Sequence, residues 1–220
     1  MIKRWAFGIP NKHQREVLVS PHRLIYYRGG LGAGKSWCGV MFAASSVLLH
    51  SEGVNGVILA PTTSMLDDVI RPQIENLWPA DVVHTYHGND RTYTWPNGSK
   101  VLLRSADRPG RLRGIQVGWA WLDEPAEMKS EIWSVITGRL RAQTRWLHQV
   151  LVTGTPSGFN WVHDAFGHPS EKLNEGIHVV QARTEDNREP LPEGVPVTST
   201  TASICQTVTL SLCAACTARG

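Results

Sequence analysis

The sequence predicts an α/β domain of three layers, with a mostly parallel central sheet between helices. Three observations predict it. Arg28-Gly29-Gly30-Leu31-Gly32-Ala33-Gly34-Lys35-Ser36 fits G-x-x-x-x-G-K-[ST] without a mismatch and lies between a strand-like and a helix-like run. Short apolar runs then alternate with helix-length segments, the order of a parallel sheet covered on both faces. A further apolar run ends in Asp123-Glu124, about ninety residues after the glycine loop.

Taken in order, residues 1–21 are polar around Pro10 and Pro21, with a short helical patch near Gln14 to Val19. Leu24-Ile25-Tyr26-Tyr27 reads as a buried strand, and Trp37 to Leu49, rich in Ala, Val, Leu and Met, reads as a helix. The loop between them implies a nucleoside triphosphate site. Its glycines let the backbone of Gly29, Gly30, Leu31, Gly32, Ala33 and Gly34 curl so that N–H groups surround a β-phosphate, with the helix dipole behind them. Lys35 reaches the β- and γ-phosphates in such a loop, and the Ser36 hydroxyl holds Mg²⁺. Gln14, a short way upstream, is either a surface residue or an amide whose donor and acceptor meet the edge of adenine, and the loop behind it favours adenine.

Val57-Ile58-Leu59-Ala60 is a second buried strand, and Thr62 to Leu77 reads as a helix with a kink at Pro72. Thr92–Trp95 and Lys100–Leu103 flank Pro96-Asn97-Gly98-Ser99, a hairpin that interrupts the parallel rhythm. Arg104, Arg108, Arg111 and Arg113 follow among Pro109, Gly110 and Gly114. Three readings stand for that loop: a solvated basic edge, a phosphate or DNA contact, or a source of an arginine for a transferring phosphoryl group.

Trp119-Ala120-Trp121-Leu122 is an apolar strand that carries Asp123 and Glu124 at its end. Beside a phosphate loop, such a strand places Asp123 at Mg²⁺ across from Ser36, and Glu124 then orients and deprotonates the attacking water. Asp and Glu also favour the start of a helix for dipole reasons alone. Glu127 and Glu131 read as solvent-facing residues of the helix running toward Arg141. Trp146 to Val152 is the next strand, closed by Thr153-Gly154-Thr155-Pro156. That stretch is either a plain turn or a place where a small polar residue meets the γ-phosphate or the water. Phe159 to Phe166 reads as a short helix and Ile177 to Ala182 as a strand.

Gln14, the phosphate loop, Trp119 to Glu124 and Thr153 to Pro156 fall in the order and spacing of one family. The sequence resembles the N-terminal ATPase domain of a large terminase subunit, the motor that packages DNA into tailed-phage and herpesvirus-type capsids. The resemblance covers roughly residues 10–194 and includes Leu112-Arg113-Gly114, Gly158-Phe159-Asn160-Trp161 and Thr184-Glu185-Asp186-Asn187. It implies a P-loop NTPase of the additional-strand, catalytic-glutamate type, with one strand between the acidic strand and the phosphate-loop strand. It also implies ATP and Mg²⁺ as ligands, with Lys35, Ser36, Asp123 and Glu124 in the roles given above, and Thr153 and Thr155 coupling hydrolysis to movement. The implied partners are double-stranded DNA, a portal protein and a small terminase subunit. The implied assembly is a homo-oligomeric ring on the portal, with Arg111 or Arg113 completing a neighbour's site. The implied location is the host cytoplasm, at the assembling procapsid, away from any membrane. Relatives often carry a basic residue where this chain has Leu31, and Arg28 is the nearest substitute. Two rival readings are a helicase-like ATPase, which calls for a second motor domain, and a nucleotide-binding remnant without catalysis.

Composition sets the remaining bounds. Of 220 residues, 41% are hydrophobic and 19% charged, the balance of a globular chain with a sizeable core. A net charge of +3 is too small to argue for nucleic acid by itself. Nine tryptophans are expected mainly as core or interface anchors. No apolar run follows the basic residues near the N-terminus as in a secretory signal, and none approaches the ~20 residues of a membrane span. After Gly194 the chain turns to Thr, Ser, Ala and Cys, with Arg219 as its one charged side chain. A metal site from Cys205, Cys213 and Cys216 lacks a fourth ligand, and a natural linker carries more charge, Pro or Gly. We therefore expect the ATPase domain over residues 1–194 and, over 195–220, an ill-ordered stretch read out of the original frame. No carboxylate follows Glu193, so we also expect none of the family's nuclease activity.

Overall fold

The computed structural model describes residues 9–49, 53–78, 85–144, 148–167 and 176–187. The expectations for the N-terminal residues 1–8, for Trp146 and for the whole stretch after Asn187 lie outside these residues.

A short helix, α1 (Lys12–Leu18), opens the fold under a reciprocal cap. The Asn11 side chain accepts from the Gln14 N–H while Gln14 Oε1 accepts from the Asn11 N–H. The chain then enters β1 (Leu24–Gly29), the phosphate loop and α2 (Lys35–Leu49), followed by β2 (Gly56–Ala60). The expected kinked helix is three pieces: α3 (Thr63–Met65) capped by Thr62, a π-helical turn over Leu66–Ile70, and α4 (Arg71–Leu77). Pro72 explains the break. Its ring clashes with a normal helical carbonyl and it has no N–H to donate, so a wider turn precedes it, with the Arg71 N–H reaching Leu66 O.

Three strands make the antiparallel part: β3 (Thr85–His87), β4 (Thr92–Thr94) and β5 (Lys100–Ser105). The β4–β5 hairpin turns at Gly98, at φ 85°. The acidic strand is β6 (Trp119–Asp123), and α5 (Glu131–Thr137) follows it, ending at Gly138 rather than running on to Arg141. The next strand, β7, spans Gln149–Gly154. Thr153 and Gly154 therefore belong to the strand and not to a turn, because Thr153 pairs with Asp123 on one side and Tyr27 on the other. The helix expected from Phe159 is α6 (Trp161–Phe166): Asn160 caps it by accepting from the N–H groups of Val162 and His163, which leaves Phe159 outside and exposed. Strand β8 (Ile177–Ala182) and a 3₁₀ turn at Thr184–Asn187 complete the described chain.

Among the described residues, eight strands lie in the order β3-β4-β5-β2-β6-β7-β1-β8, parallel along this order from β5 to β8. β7 separates the acidic strand from the phosphate-loop strand, as the resemblance implies. β2 and β6 are buried along their whole length, which is why both read as unbroken apolar runs. Alternation along β6 splits the core. Trp119 and Trp121 join the cluster under α1, α2 and α4, while Ala120 and Leu122 join the one under α5 and α6. The Trp121 ring lies flat against Gly39 of α2, where a Cβ would stand 2.0 Å from the nearest ring carbon. Trp78, Trp95, Trp119 and Trp121 are all core residues, as the tryptophan count led us to expect.

Candidate functional site

In a parallel sheet of this kind, the crevice outside the carboxyl ends of the strands is where ligands bind. Here β1, β7 and β6 end side by side, delivering the phosphate loop, Thr155 and the Asp123–Glu124 pair to one place. A cleft of about 500 Å³ opens there.

The loop is held by four side chains, of which Asn187 also lines the cleft. Thr184 Oγ1 donates to Leu31 O (2.6 Å), Asn187 Nδ2 to Gly32 O (2.9 Å), Tyr27 OH to Ala33 O (2.8 Å) and Gln14 Nε2 to Gly34 O (3.2 Å). A planar trans peptide places each following N–H opposite its carbonyl. With four consecutive carbonyls held outward, the N–H groups of Gly32, Gly34 and Lys35 turn to the other side, the arrangement that a phosphate needs. The Ala33 N–H is taken by Gly30 O. Gly34, at φ 74°, lies in the left-handed region that favours glycine, and a Cβ there, 2.3 Å from Gln14 Nε2, would also push away the amide that holds its carbonyl.

Lys35, 7% exposed, donates from Nζ to Gly29 O (3.0 Å), Gly30 O (3.1 Å) and Thr155 Oγ1 (3.0 Å), with Glu124 Oε1 3.5 Å away. Glu124 sits in the left-handed region at φ 49°, uncommon for a residue with a side chain. Its N–H donates to Thr153 O (2.7 Å), and Thr155 holds both of its carboxylate oxygens, by N–H to Oε2 (2.9 Å) and by Oγ1 to Oε1 (3.2 Å). Asp123 is buried beneath this pair, with Oδ1 accepting from Thr153 Oγ1 at 2.7 Å. Burial pushes its carboxyl up to about 7; the Thr153 hydrogen bond opposes the shift, Glu124 adds to it and Lys35 opposes it.

A carboxylate kept in such a place is relieved by a cation. Mg²⁺ characteristically takes one or two carboxylates and leaves its other positions to phosphate oxygens and water. Asp123 with Ser36 at the start of α2 fits that pattern. Among the described residues no cluster of three His, Cys, Asp or Glu offers an all-protein cage.

The structure thus brings together Gly29 to Ser36, Asp123, Glu124 and Thr155. Other candidates lie elsewhere. Thr153 is fully buried behind Asp123, with its hydroxyl spent on Asp123 Oδ1 and Trp121 Nε1, so a direct contact with a phosphate or water is closed to it. Gln14 is nearly buried, its amide spent on the cap of α1 and on Gly34 O, which makes it a brace for the loop. Leu31 carries no charge, and Arg28 turns away to Gln181 Oε1 (2.7 Å), so neither supplies a cation to the loop of this chain. Arg111 and Arg113 stand exposed on the 3₁₀ turn Pro109–Leu112 and at its end, with Arg113 3.5 Å from Glu131. Sequence reasoning missed Tyr27, Thr184 and Asn187 as loop holders, and Trp37, Gln73, Asn76 and Leu77 as cleft lining. Thr184 and Asn187 do lie in a segment quoted for the resemblance, the one signal that pointed to them.

Comparison with known proteins agrees with this fold. A family model described as terminase large subunit, T4likevirus-type, N-terminal, matches residues 26–195. The terminase large subunit of Thermus virus P23-45 is 29% identical over 139 residues, which cover 54% of this chain and 28% of that protein. The large terminase of a thermophilic bacteriophage, solved in complex with ADP, superposes with a TM-score of 0.65 at 19% identity, over 80% of this chain and 46% of that one. The large terminase ATPase domain of Thermus phage P74-26 does so with a TM-score of 0.60 at 22% identity, over 79% of this chain and 81% of that one. The chain thus spans less than half the length of the first two of these proteins.

Proposed function

The chain belongs to the family of terminase large subunits, in its N-terminal part, and from that premise we propose that it is an ATP-hydrolysing motor domain that drives double-stranded DNA into a procapsid. The observation that carries the proposal is the meeting of Lys35, Glu124 and Thr155 at the mouth of a loop whose N–H groups face inward. The relative from the thermophilic bacteriophage is described in complex with ADP, which supports the same ligand class here.

On this reading Lys35 exchanges its bonds to Gly29 O, Gly30 O and Thr155 for phosphate oxygens when ATP enters. Ser36 and Asp123 hold Mg²⁺, which when bound offsets charge on the phosphates. Glu124 accepts the proton of the attacking water. Its oxygens are both engaged by Thr155, so the base must be released before it can act, and that gives Thr155 the coupling role. Thr153 contributes from behind, by holding Asp123. Arg111 or Arg113, exposed and outside the cleft of their own chain, are suited to reach the site of a neighbour in a ring. We take the domain to be residues 1–194, a reading that the family match over residues 26–195 supports for most of its length. Portal protein, small terminase subunit and host cytoplasm complete the proposed setting.

A phosphate-release assay tests it. Lys35→Ala lowers nucleotide affinity and turnover together, whereas Glu124→Gln keeps ATP binding and lowers turnover by ~10²–10⁴. Normal hydrolysis by Glu124→Gln removes Glu124 as the base.

A further inference from the structure

Thr153 Oγ1 stands between two groups whose hydrogen-bonding capacities are fixed. Trp121 Nε1 is 2.7 Å away on one side and Asp123 Oδ1 2.7 Å away on the other, with Leu122 O more distant at 3.4 Å. An indole N–H only donates, so the Thr153 hydroxyl must accept from it. The hydroxyl has one hydrogen, and its nearest acceptor is the Asp123 carboxylate. All three side chains are buried, so no water competes for these bonds. The order Trp121 → Thr153 → Asp123 is therefore fixed in direction, and it pins Oδ1 while leaving Oδ2 without a hydrogen-bond partner within the described residues. The same indole ring lies on Gly39, four residues after Lys35 on α2. One side chain thus fixes both the distance of the phosphate-loop helix from β6 and the orientation of the carboxylate at the end of β6.

We propose that Trp121 is a positioning residue for the cation site: through Thr153 it orients Asp123 so that its free oxygen faces the divalent metal of a bound nucleotide. The inference rests on the reading of Asp123 as a metal ligand. Groups that orient metal ligands from behind typically change metal affinity by ~10–100-fold when removed.

The test is binding of a fluorescent, slowly hydrolysed ATP analogue to the whole chain, followed by anisotropy across a Mg²⁺ titration and in EDTA. Trp121→Phe keeps an aromatic ring and removes the N–H; Thr153→Val keeps the shape and removes the hydroxyl; Thr153→Ser keeps the hydroxyl. Trp121→Phe and Thr153→Val are each expected to raise half-saturating Mg²⁺ by ~10-fold while affinity in EDTA stays as in the parent, and Thr153→Ser to restore the parent curve. Because both act along one path, the double variant should shift no further than either single one. A merely structural tryptophan would lower the melting temperature and leave the Mg²⁺ curve in place, which overturns the proposal. So does a double variant whose shift is the sum of the two. If Trp121→Phe fails to fold, an unshifted Thr153→Val is enough to overturn it. Asp123→Asn separates the layers: a parent-like Mg²⁺ curve removes Asp123 as a ligand and the proposal with it. Loss of Mg²⁺ dependence in Asp123→Asn beside an unshifted Trp121→Phe removes the Trp121 inference alone.

Discussion

Replacing Gly39 by alanine sets two effects against each other, and the structure decides between them. Alanine favours a helix interior over glycine by ~1 kcal/mol, so on propensity alone Gly39→Ala stabilises α2. The new methyl, however, would stand 2.0 Å from Trp121 Cε2, where ordinary contact begins near 3.4 Å. The ring must retreat by about 1.4 Å, the difference between those two distances. It has little freedom to do so, being fully buried and tied to Thr153. Overpacking of this kind costs ~1–3 kcal/mol, and a buried hydrogen bond broken in the process adds ~1–3 kcal/mol. The penalty exceeds the propensity gain, for a net loss of about 1–5 kcal/mol, or about 2–20 °C in melting temperature for a chain of this size. Thermal unfolding followed by far-UV circular dichroism measures it. Gly110→Ala, where a methyl meets nothing within 4 Å, is the control and should move little. Gly39→Ala at or above the parent stability would refute the placement of Trp121 on α2.

Further outcomes follow from the site. Asn187→Ala removes the bond to Gly32 O and should weaken nucleotide binding several-fold, by ~1 kcal/mol, without abolishing it; unchanged affinity in a titration counts against the outward-held loop. The Asp123 carboxyl is raised from 3.8 to about 7, so the charged form is the one that the fold disfavours. Below the lower value both states are protonated and nothing is lost; between the two, stability falls as pH rises, by up to about 1.4 kcal/mol per unit. Urea unfolding of the nucleotide-free protein should therefore show Asp123→Asn gaining on the parent between pH 4 and 7, and parallel pH profiles would contradict the burial argument. Mixing Glu124→Gln with Arg113→Ala or Arg111→Ala subunits tests the shared site. Recovered turnover supports an arginine lent between subunits, an effect of ~10³-fold or more in such enzymes, and no recovery with either arginine removes both from that role.

The parts of the site that were legible in the sequence are those written in consecutive residues. The phosphate loop and the Trp119–Glu124 run each carry their own geometry, since a tight turn needs its glycines and a carboxylate at a strand end needs only the strand. Asn187 and Thr184 were not legible as loop holders, because the bonds they make span about 150 residues and exist only once β8 lies beside β1. Gln14 shows how one side chain fits two descriptions: an amide suited to a base edge is equally suited to a helix cap and a loop carbonyl. Thr153-Gly154 reads as a turn because Gly and Pro sit close by, yet pairing on both sides carries the strand through it. Trp121 passes as one more core residue in an apolar run, since nothing in that run says where its N–H points.

The position of β1 in the sheet has a consequence for the order of assembly. β1 leaves the ribosome early, but its two neighbours, β7 and β8, come more than a hundred residues later. Strands β2, β5 and β6 and the hairpin can pair among themselves while β1 waits, and two of the four side chains that grip the phosphate loop, Thr184 and Asn187, follow only after β8. Joining such distant segments is entropically slow. Competence to hold a nucleotide is accordingly acquired only after β8 has joined β1, and it reports that this side of the sheet has closed.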